Sequence, residues 1–264
     1  MNAEKFSQAM GEVDSKFVDE AINYRKKVVR SSLFKRWCAI AACFALVLVS
    51  ALFWLRHQRN YIALSGNSSN VTAYYTDNPF ISSASSESLV ELTEEELFTT
   101  FYTAIFRGTV SEIRNIALNF NEETVYRALA EIEIEKVYRG PYPTGDSVSV
   151  LLPCPLIDGF EVTDTSTVSA MEVGTTGIFM PMIFDPMIFD DESAIWKQNG
   201  AILDKRDIAD CGFADGERYA FIETEEGLVF SRTAYSSIRN ATTLDEVEDY
   251  IETMLENLGN QQAK

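Results

Sequence analysis

The chain has 264 residues, of which 46% are hydrophobic, 12% aromatic and 23% charged, and its formal net charge at pH 7 is −18. This composition can build a buried core and excludes a wholly disordered chain. The acidic balance disfavours nucleic-acid binding, and a mean hydropathy of −0.06 excludes a polytopic membrane protein while permitting a single span.

The charge is unevenly distributed along the chain. Residues 1–36 carry eight basic and five acidic residues, a net charge of +3, whereas residues 60–264 carry 12 basic and 35 acidic residues, a net charge of −23. Between these parts, residues 37–55 form a run of 19 without a charged residue. The sequence therefore contains two electrostatically different parts separated by an uncharged segment.

The uncharged segment, residues 37–55, predicts a transmembrane helix. As an α-helix it reaches about 28 Å, close to the roughly 30 Å hydrocarbon core of a bilayer. Trp37 and Trp54 lie near its two ends, where tryptophan rings favour the headgroup level. Leu46 lies at its centre and Leu55 is its last residue. The alternative, a buried core helix, fits less well because basic residues bracket the run closely.

The basic flanks predict the orientation of this helix. Six basic residues occupy positions 25–36 and two occupy positions 56–59, and the side richer in lysine and arginine stays in the cytoplasm. We therefore expect a cytoplasmic N-terminus and an extracytoplasmic C-terminal domain in the cell membrane. A signal peptide cleaved at residues 49–51 is disfavoured because the leader and the apolar run are too long, and a lipoprotein box at residues 40–43 is disfavoured because it lies in mid-span.

The cytoplasmic head, residues 1–36, predicts short amphipathic helices that end in basic residues. Thirty-six residues cannot bury a core alone, so the apolar stripe requires a protein partner or the membrane surface, or the head is partly disordered. Anionic headgroups attract the basic end by roughly 1 kcal/mol per base.

The head also carries a recurring motif. The pattern V-D-x-x-F-V-x-E-A is formed by Val13, Asp14, Phe17, Val18, Glu20 and Ala21. Together with the basic patch and the single span, this pattern resembles the head of Firmicute single-pass membrane proteins of the anti-sigma-factor-like type. The resemblance implies that this face contacts a cytoplasmic protein such as an extracytoplasmic-function sigma factor. The head lacks the His-x3-Cys-x2-Cys zinc motif of better-defined anti-sigma heads.

The remaining chain predicts a linker and an α+β domain. Residues 56–92 are rich in serine, asparagine and threonine, which is typical of a flexible linker. In the domain, residues 93–264, a capping box at Thr93 predicts a short helix, and a second at Thr243 predicts an amphipathic helix ending near Gly259. Strands are predicted over residues 102–113, 125–137, 147–152, 177–183, 218–223 and 228–232.

Part of this domain resembles a small OB-like β-barrel of secreted bacterial modules. The resemblance is carried by residues 105–110, 130–140, 145–150 and 173–179, which contain the G-T-V, K-V-Y-R-G, G-D-S-V-S-V and G-T-T-G-I-F sequences. It implies a barrel followed by the C-terminal helix. OB barrels bind many ligands, so the resemblance says little about function.

A tandem duplication interrupts the domain. The sequence P-M-I-F-D at residues 181–185 is repeated at once at residues 186–190. The prolines predict a lengthened loop or an edge strand. We expect the apolar side chains to pack on the barrel, with an exposed patch for a partner as the alternative.

The outer domain offers few residues for chemistry. Cys154 and Cys211 are its only cysteines and predict a disulfide, with buried free thiols as the alternative. We expect no catalytic residue, cofactor or metal site, since no nucleophile, phosphate-loop, zinc or EF-hand pattern is present. The acidic group at residues 185–192 is expected to be a solvated edge rather than a calcium site.

These observations predict a membrane-anchored regulator or sensor whose outer domain meets an unknown partner and whose head contacts a cytoplasmic protein. One alternative is an anchored binding module that acts only outside the membrane. A less favoured one is an anchored hydrolase that uses paired carboxylates. The expected partners include the lipid bilayer and exclude nucleic acid.

Overall fold

The computed structural model describes residues 19–20, 60–80, 90–157, 164–185, 187 and 191–262. The chain divides into two compact units, residues 1–56 and 57–264, and almost all described residues belong to the second. The predicted transmembrane helix at residues 37–55 lies outside the described residues. Within the described residues, no helix is long and apolar enough to cross a membrane.

The second unit is an α+β fold made mostly of strands. Its helices are α1 (Glu94–Thr99), α2 (Ser166–Ser169) and α3 (Leu244–Gln262). Its strands are β1 (Tyr61–Ile62), β2 (Val71–Tyr75), β3 (Ile105–Phe120), β4 (Glu123–Arg139), β5 (Ser147–Leu152), β6 (Thr176–Phe179), β7 (Met182–Ile183), β8 (Ile195–Gln198), β9 (Ala201–Asp204), β10 (Cys211–Gly212), β11 (Ala220–Thr224) and β12 (Gly227–Val229).

Strands β3 and β4 form a long antiparallel hairpin that organises the sheet. From β4 the pairing continues through β5, then β10 in parallel, then β7. The β7 region returns to the start of β3, because Ala104 donates to the Pro181 carbonyl at 2.9 Å and Ile183 donates to the Tyr102 carbonyl at 3.0 Å. The pairing therefore runs in a ring, and β6 and β11 extend it beyond β3.

The larger hydrophobic core joins residues of this ring with residues of β6, β11, β12 and α3. Alternation along β4 confirms the sequence prediction, since Ile132 and Ile134 are buried while Glu133 and Glu135 are exposed. Phe106 is fully buried, and its ring centroid lies 6.0 Å from that of Phe179. Burial of such side chains stabilises the fold at roughly 25 cal/mol per Å² of apolar surface.

A second, smaller core covers the other end of the β3–β4 hairpin. Phe120 is fully buried there, and its ring centroid lies 4.9 Å from that of Trp196 on β8. The β8–β9 hairpin turns at Asn199 and Gly200, both with positive φ, which suits a tight turn. Asn199 donates from Nδ2 to Glu123 Oε2 at 2.7 Å, which ties the two hairpin tips together.

The Ser/Asn-rich stretch does not behave as the predicted flexible linker over its whole length. Strand β2 pairs antiparallel with β3, and β1 pairs with β2. Asp207 accepts hydrogen bonds from Ser65 and from Ser68 Oγ, the latter at 2.6 Å. This part of the stretch is ordered because its serines donate hydrogen bonds to a carboxylate and because Ala73 is buried in the second core.

The C-terminal helix α3 confirms the predicted helix and packs on the larger core. Its capping box is present, with Thr243 N donating to Glu246 Oε2 at 3.1 Å and Glu246 N donating to Thr243 Oγ1 at 3.3 Å. The helix continues past Gly259, so the predicted stop was wrong. Lys136 donates to Glu248 at 2.5 Å, which fastens the helix to β4.

The first copy of the duplicated sequence packs against the sheet, as predicted. Met182 and Ile183 form β7, and Phe184 is buried in the second core. Of the second copy, only Met187 lies within the described residues, and its side chain is 90% exposed. The corresponding methionines therefore differ: Met182 is half-buried in β7, whereas Met187 is exposed.

Candidate functional site

Most of the predicted site residues of the head and the membrane span lie outside the described residues. These are Val13, Asp14, Phe17, Val18 and Ala21 of the head and Trp37, Leu46, Trp54 and Leu55 of the span. Glu20 is described: it lies in a helix with Asp19, and its side chain is exposed.

The two cysteines of the outer domain are both buried and both free. This is the alternative to the predicted disulfide. Cys211 pairs with Val150 in the parallel register between β10 and β5, and Val150 is four residues before Cys154. Burial raises the pKa of each thiol, so the buried groups stay protonated and unreactive.

The acidic residues near the duplication bind their own backbone. Asp191 Oδ2 accepts from Asp185 N at 3.2 Å, and Asp191 Oδ1 accepts from the Ser193 hydroxyl at 2.6 Å. Over the described ranges, no group of three or more His, Cys, Asp or Glu side chains is positioned to hold a metal ion.

Among the described carboxyl groups, Glu131 on β4 has a raised pKa. Burial is the main cause, and the nearby Asp210 carboxylate adds to it. Asp210 itself is held by Ser149, which donates from its backbone and from Oγ at 2.9 and 2.6 Å. A carboxyl whose pKa is raised beside an acidic neighbour is one element of the arrangement that paired-carboxylate hydrolysis uses. Glu131 lies on β4 and Asp210 directly precedes β10, and neither lines the cleft described next.

The described domain contains an open cleft of about 1110 Å³. Three walls form it: the start of α1, the turn after β12, and the C-terminal half of α3. The lining residues are Glu91, Leu92, Thr93, Glu94, Glu95, Glu96, Thr233, Ala234, Ser236, Ser237, Met254, Asn257, Leu258, Asn260 and Gln261.

One carboxylate, Glu94, joins the three walls. Its Oε1 accepts from the Ser236 hydroxyl at 2.7 Å and from Ser237 N at 2.8 Å, while its Oε2 accepts from the Tyr250 hydroxyl at 2.7 Å. Burial acts to raise the pKa of Glu94, but these hydrogen bonds outweigh it and lower the pKa below its usual value. Glu94 is therefore ionised at neutral pH, and it holds the walls in place.

Tyr250 supports this arrangement from helix α3. Its ring lies edge-on to Phe98 and to Tyr235, with centroid distances of 6.1 Å in each case. Burial first, and then the Glu94 carboxylate, raise the pKa of the Tyr250 hydroxyl. The hydroxyl therefore remains a donor to Glu94 over the ordinary pH range.

Two glutamates at the rim keep their carboxylates available. Glu91 and Glu95 are exposed, and their side chains make no hydrogen bond or ion pair within the described residues. Glu96 is different, because its carboxylate accepts from Thr93 N at 2.7 Å and completes the capping box. The lining also contains four apolar residues, Leu92, Ala234, Met254 and Leu258. Chemically, the cleft is a largely polar surface with two exposed carboxylates and a few apolar side chains.

The sequence reasoning identified the capping box at Thr93 but did not identify the cleft. The sequence signal near the cleft was the run of glutamates at residues 94–96 beside an apolar helix face. The lining residues opposite this run begin at Thr233, more than 130 positions later in the chain.

Comparison with known proteins gave no match for this chain: no protein-family model, no curated protein sequence and no solved structure resembles it.

Proposed function

We propose that the protein is a membrane-anchored regulator or sensor with an extracytoplasmic binding domain and an anti-sigma-factor-like cytoplasmic head. The observation that carries the proposal is the uncharged run at residues 37–55, which separates a head of net charge +3 from a domain of net charge −23. Basic residues flank the run on both sides, with more of them on the N-terminal side, which supports a cytoplasmic head.

The proposed fold of the outer domain is an OB-like barrel. The ring of strands β3, β4, β5, β10 and β7 supports it, because an OB-fold is a five-stranded Greek-key barrel. The face of such barrels that binds nucleic acid is basic and aromatic, whereas β4 here presents glutamates at 131, 133 and 135. Nucleic acid is therefore excluded from the proposal.

The topology is tested by adding protease to intact protoplasts. We expect the acidic domain, residues 60–264, to be degraded while the head, residues 1–36, stays protected. Protection of the acidic domain in intact protoplasts would reverse the orientation and overturn the proposal.

The cytoplasmic role is tested by capturing the full chain from membranes and identifying bound proteins by mass spectrometry. We expect an extracytoplasmic-function sigma factor to co-purify with the unmodified chain and to be lost with Phe17→Asp, which places a charge in the apolar stripe. Lys16→Asp is the matched control, since position 16 is a variable position of the motif, and it should retain the partner. Equal capture by both variants would remove the motif from this role, whereas absence of a sigma factor from the unmodified chain favours the alternative, an anchored binding module without cytoplasmic signalling.

A further inference from the structure

The described part of the outer domain contains three lysines in three different environments. Lys136 is exposed and donates to Glu248 at 2.5 Å and to Glu252 at 2.8 Å. Lys197 on β8 is exposed as well. Lys205 begins the single turn of 3-10 helix that follows β9, and it is half-buried. The reactivity of one functional group, the lysine amine, can therefore be compared under different degrees of solvation.

The backbone of Lys205 is fixed on both sides by hydrogen bonds. Its N–H donates to the Ala194 carbonyl at 2.8 Å, and its own carbonyl accepts from Ile208 N and Ala209 N, both at 3.0 Å. The side chain extends over the ring of Phe184, with Nζ 4.9 Å from the ring centroid. Phe184 is buried in the second core. The amine of Lys205 therefore lies against an apolar surface at a well-defined position.

The Lys205 ammonium has no hydrogen-bond or ion-pair partner among the described residues. The two carboxylates nearest to it in the sequence have partners of their own. Asp204 pairs with Arg206 at 2.7 Å. Asp207 accepts from Ser68 Oγ at 2.6 Å. The Nζ atom of Lys205 keeps some contact with solvent, so a small reagent can reach it.

This environment favours the neutral amine of Lys205. Burial is the main cause that lowers its pKa, the Arg127 cation on β4 adds to the effect, and the Asp191 carboxylate opposes it. In Lys136, by contrast, the hydrogen bond to Glu248 is the main cause that raises the pKa. The neutral amine is the nucleophilic form, and desolvation or a neighbouring cation is a recognised way to activate a lysine. At neutral pH, a larger fraction of Lys205 than of Lys136 is therefore nucleophilic.

We propose that Lys205 is a covalent modification site whose amine reacts with small aldehydes. The Nζ lone pair attacks the carbonyl carbon and forms the N–C bond. The two N–H protons of the neutral amine then leave with the carbonyl oxygen as water, which gives an imine without any change of oxidation state. The half-buried position of Lys205 restricts the reaction to small carbonyl compounds. The inference goes beyond the proposed regulatory function and does not depend on the head or the span.

The test measures reductive alkylation of the full chain in phosphatidylcholine nanodiscs, whose lipid carries no primary amine. Propanal is the aldehyde, and cyanoborohydride reduces each imine to a stable secondary amine that peptide mass spectrometry locates. For each lysine, the rate at about pH 7 is divided by the rate at about pH 10, so that differences in steric access cancel. We expect this rate ratio at Lys205 to exceed the ratios at Lys197 and Lys136 by about threefold or more.

A matched pair of variants tests the packing around Lys205. Phe184→Ala removes the ring beneath the ammonium and should lower the rate ratio of Lys205 about two- to threefold, because water then reaches the amine. Phe80→Ala is the control, since the Phe80 side chain is 69% exposed, and it should leave the rate ratio unchanged. Amide exchange in β4 and β5 checks that both variants remain folded.

The unfolded chain provides a second control that does not require Phe184→Ala to fold. In concentrated guanidinium chloride, Lys205 and Lys197 should have equal rate ratios, because the difference between them comes from folding. Three results overturn the inference: a rate ratio at Lys205 no higher than at Lys197 in the folded chain, no alkylation of Lys205 at either pH, or an advantage of Lys205 that persists in the unfolded chain or in folded Phe184→Ala.

Discussion

The two ends of the β3–β4 hairpin lie in different cores built from the same pair of strands. At one end, Phe106 packs inside the ring of strands with Phe179 and Tyr142. At the other end, Phe120 packs against Trp196 beneath the β8–β9 hairpin. The first core is closed by paired strands that return to β3, whereas the second is closed by a short hairpin and by β2.

The Phe120 end of the hairpin therefore depends on side-chain hydrogen bonds, whereas the Phe106 end depends on continuous strand pairing. Asp207 holds the segment before β2 through Ser65 and Ser68. Local stability is lower where few buried contacts and more exposed hydrogen bonds carry the structure. We therefore expect the second end to open first.

The largest expected effect distinguishes the two cores directly. Phe106→Ala should lower the free energy of unfolding by about 3–5 kcal/mol, because it leaves a cavity in the ring. Amide exchange should then increase in both β5 and β2. Phe120→Ala creates a similar cavity, but it should increase exchange mainly in β2, β8 and β9 while β5 keeps its protection. Hydrogen exchange of the full chain, followed by mass spectrometry, measures both variants.

The distinction between the two ends is wrong if Phe120→Ala increases amide exchange in β5 as strongly as in β2. That result would show one cooperative unit in place of two ends that open separately.

A smaller effect is expected at the hydrogen bonds of the second end. Asp207→Asn replaces a charged acceptor of three hydrogen bonds and should destabilise the segment before β2 by about 1–2 kcal/mol. Exchange at residues 61–75 is the measurement. Asp77→Asn is the control, because Asp77 is exposed and its carboxylate has no hydrogen bond within the described residues. Equal exchange in the two variants would remove Asp207 from this role.

The larger core has its own electrostatic contact, through Glu248 of α3. The hydrogen bond from Lys136 is the main cause that lowers the pKa of Glu248, and Tyr138 and Arg107 contribute. A carboxyl whose pKa is lower in the folded state stabilises the fold above its unfolded pKa of 4.5, and this contribution is lost as pH falls through the folded value. Stability should therefore decrease below about pH 4.5.

Glu248→Gln should lower the melting temperature at pH 7 by about 2–4 °C and reduce the loss of stability in acid. Glu256→Gln, at an exposed position of the same helix, should leave both unchanged. Thermal melting at pH 7 and pH 4 tests this. An identical acid response in the unmodified chain and Glu248→Gln would exclude Glu248 as its source.

The smallest effect is expected from reductant. Cys154 and Cys211 are free and buried, so adding a thiol reductant should leave the melting temperature unchanged within about 1 °C. Removal of a native disulfide typically costs 2–5 kcal/mol. A clear decrease in the melting temperature on reduction would support the disulfide that the sequence suggested.

The fold was predictable where local patterns determine it. Alternation at residues 131–135 identified β4, and the two capping boxes identified α1 and α3. Strands β1 and β2 were missed because their serine-rich context is typical of linkers, and their stability comes from β3 and Asp207. The β8–β9 hairpin was also missed, although Asn199 and Gly200 form a standard hairpin signal.

The cleft was not predictable because its walls come from distant parts of the chain. Glu94 meets Ser236 and Tyr250 only after the sheet has brought the three segments together. Glutamates are common in this chain, so no single one stands out by type. The contact depends on tertiary packing, for which the sequence contains no local periodicity.

The duplicated sequence gives the chain one place where its length can change at little cost. Asp185, the last residue of the first copy, donates from its backbone to Asp191, which directly follows the second copy. The two ends of the intervening segment therefore already meet, and the strand that precedes it is complete. Removing five residues there, or inserting a small folded tag, should leave both cores intact. The same property makes the position between Asp185 and Asp191 suitable for a fluorescent label that reports on the outer domain without entering its sheet.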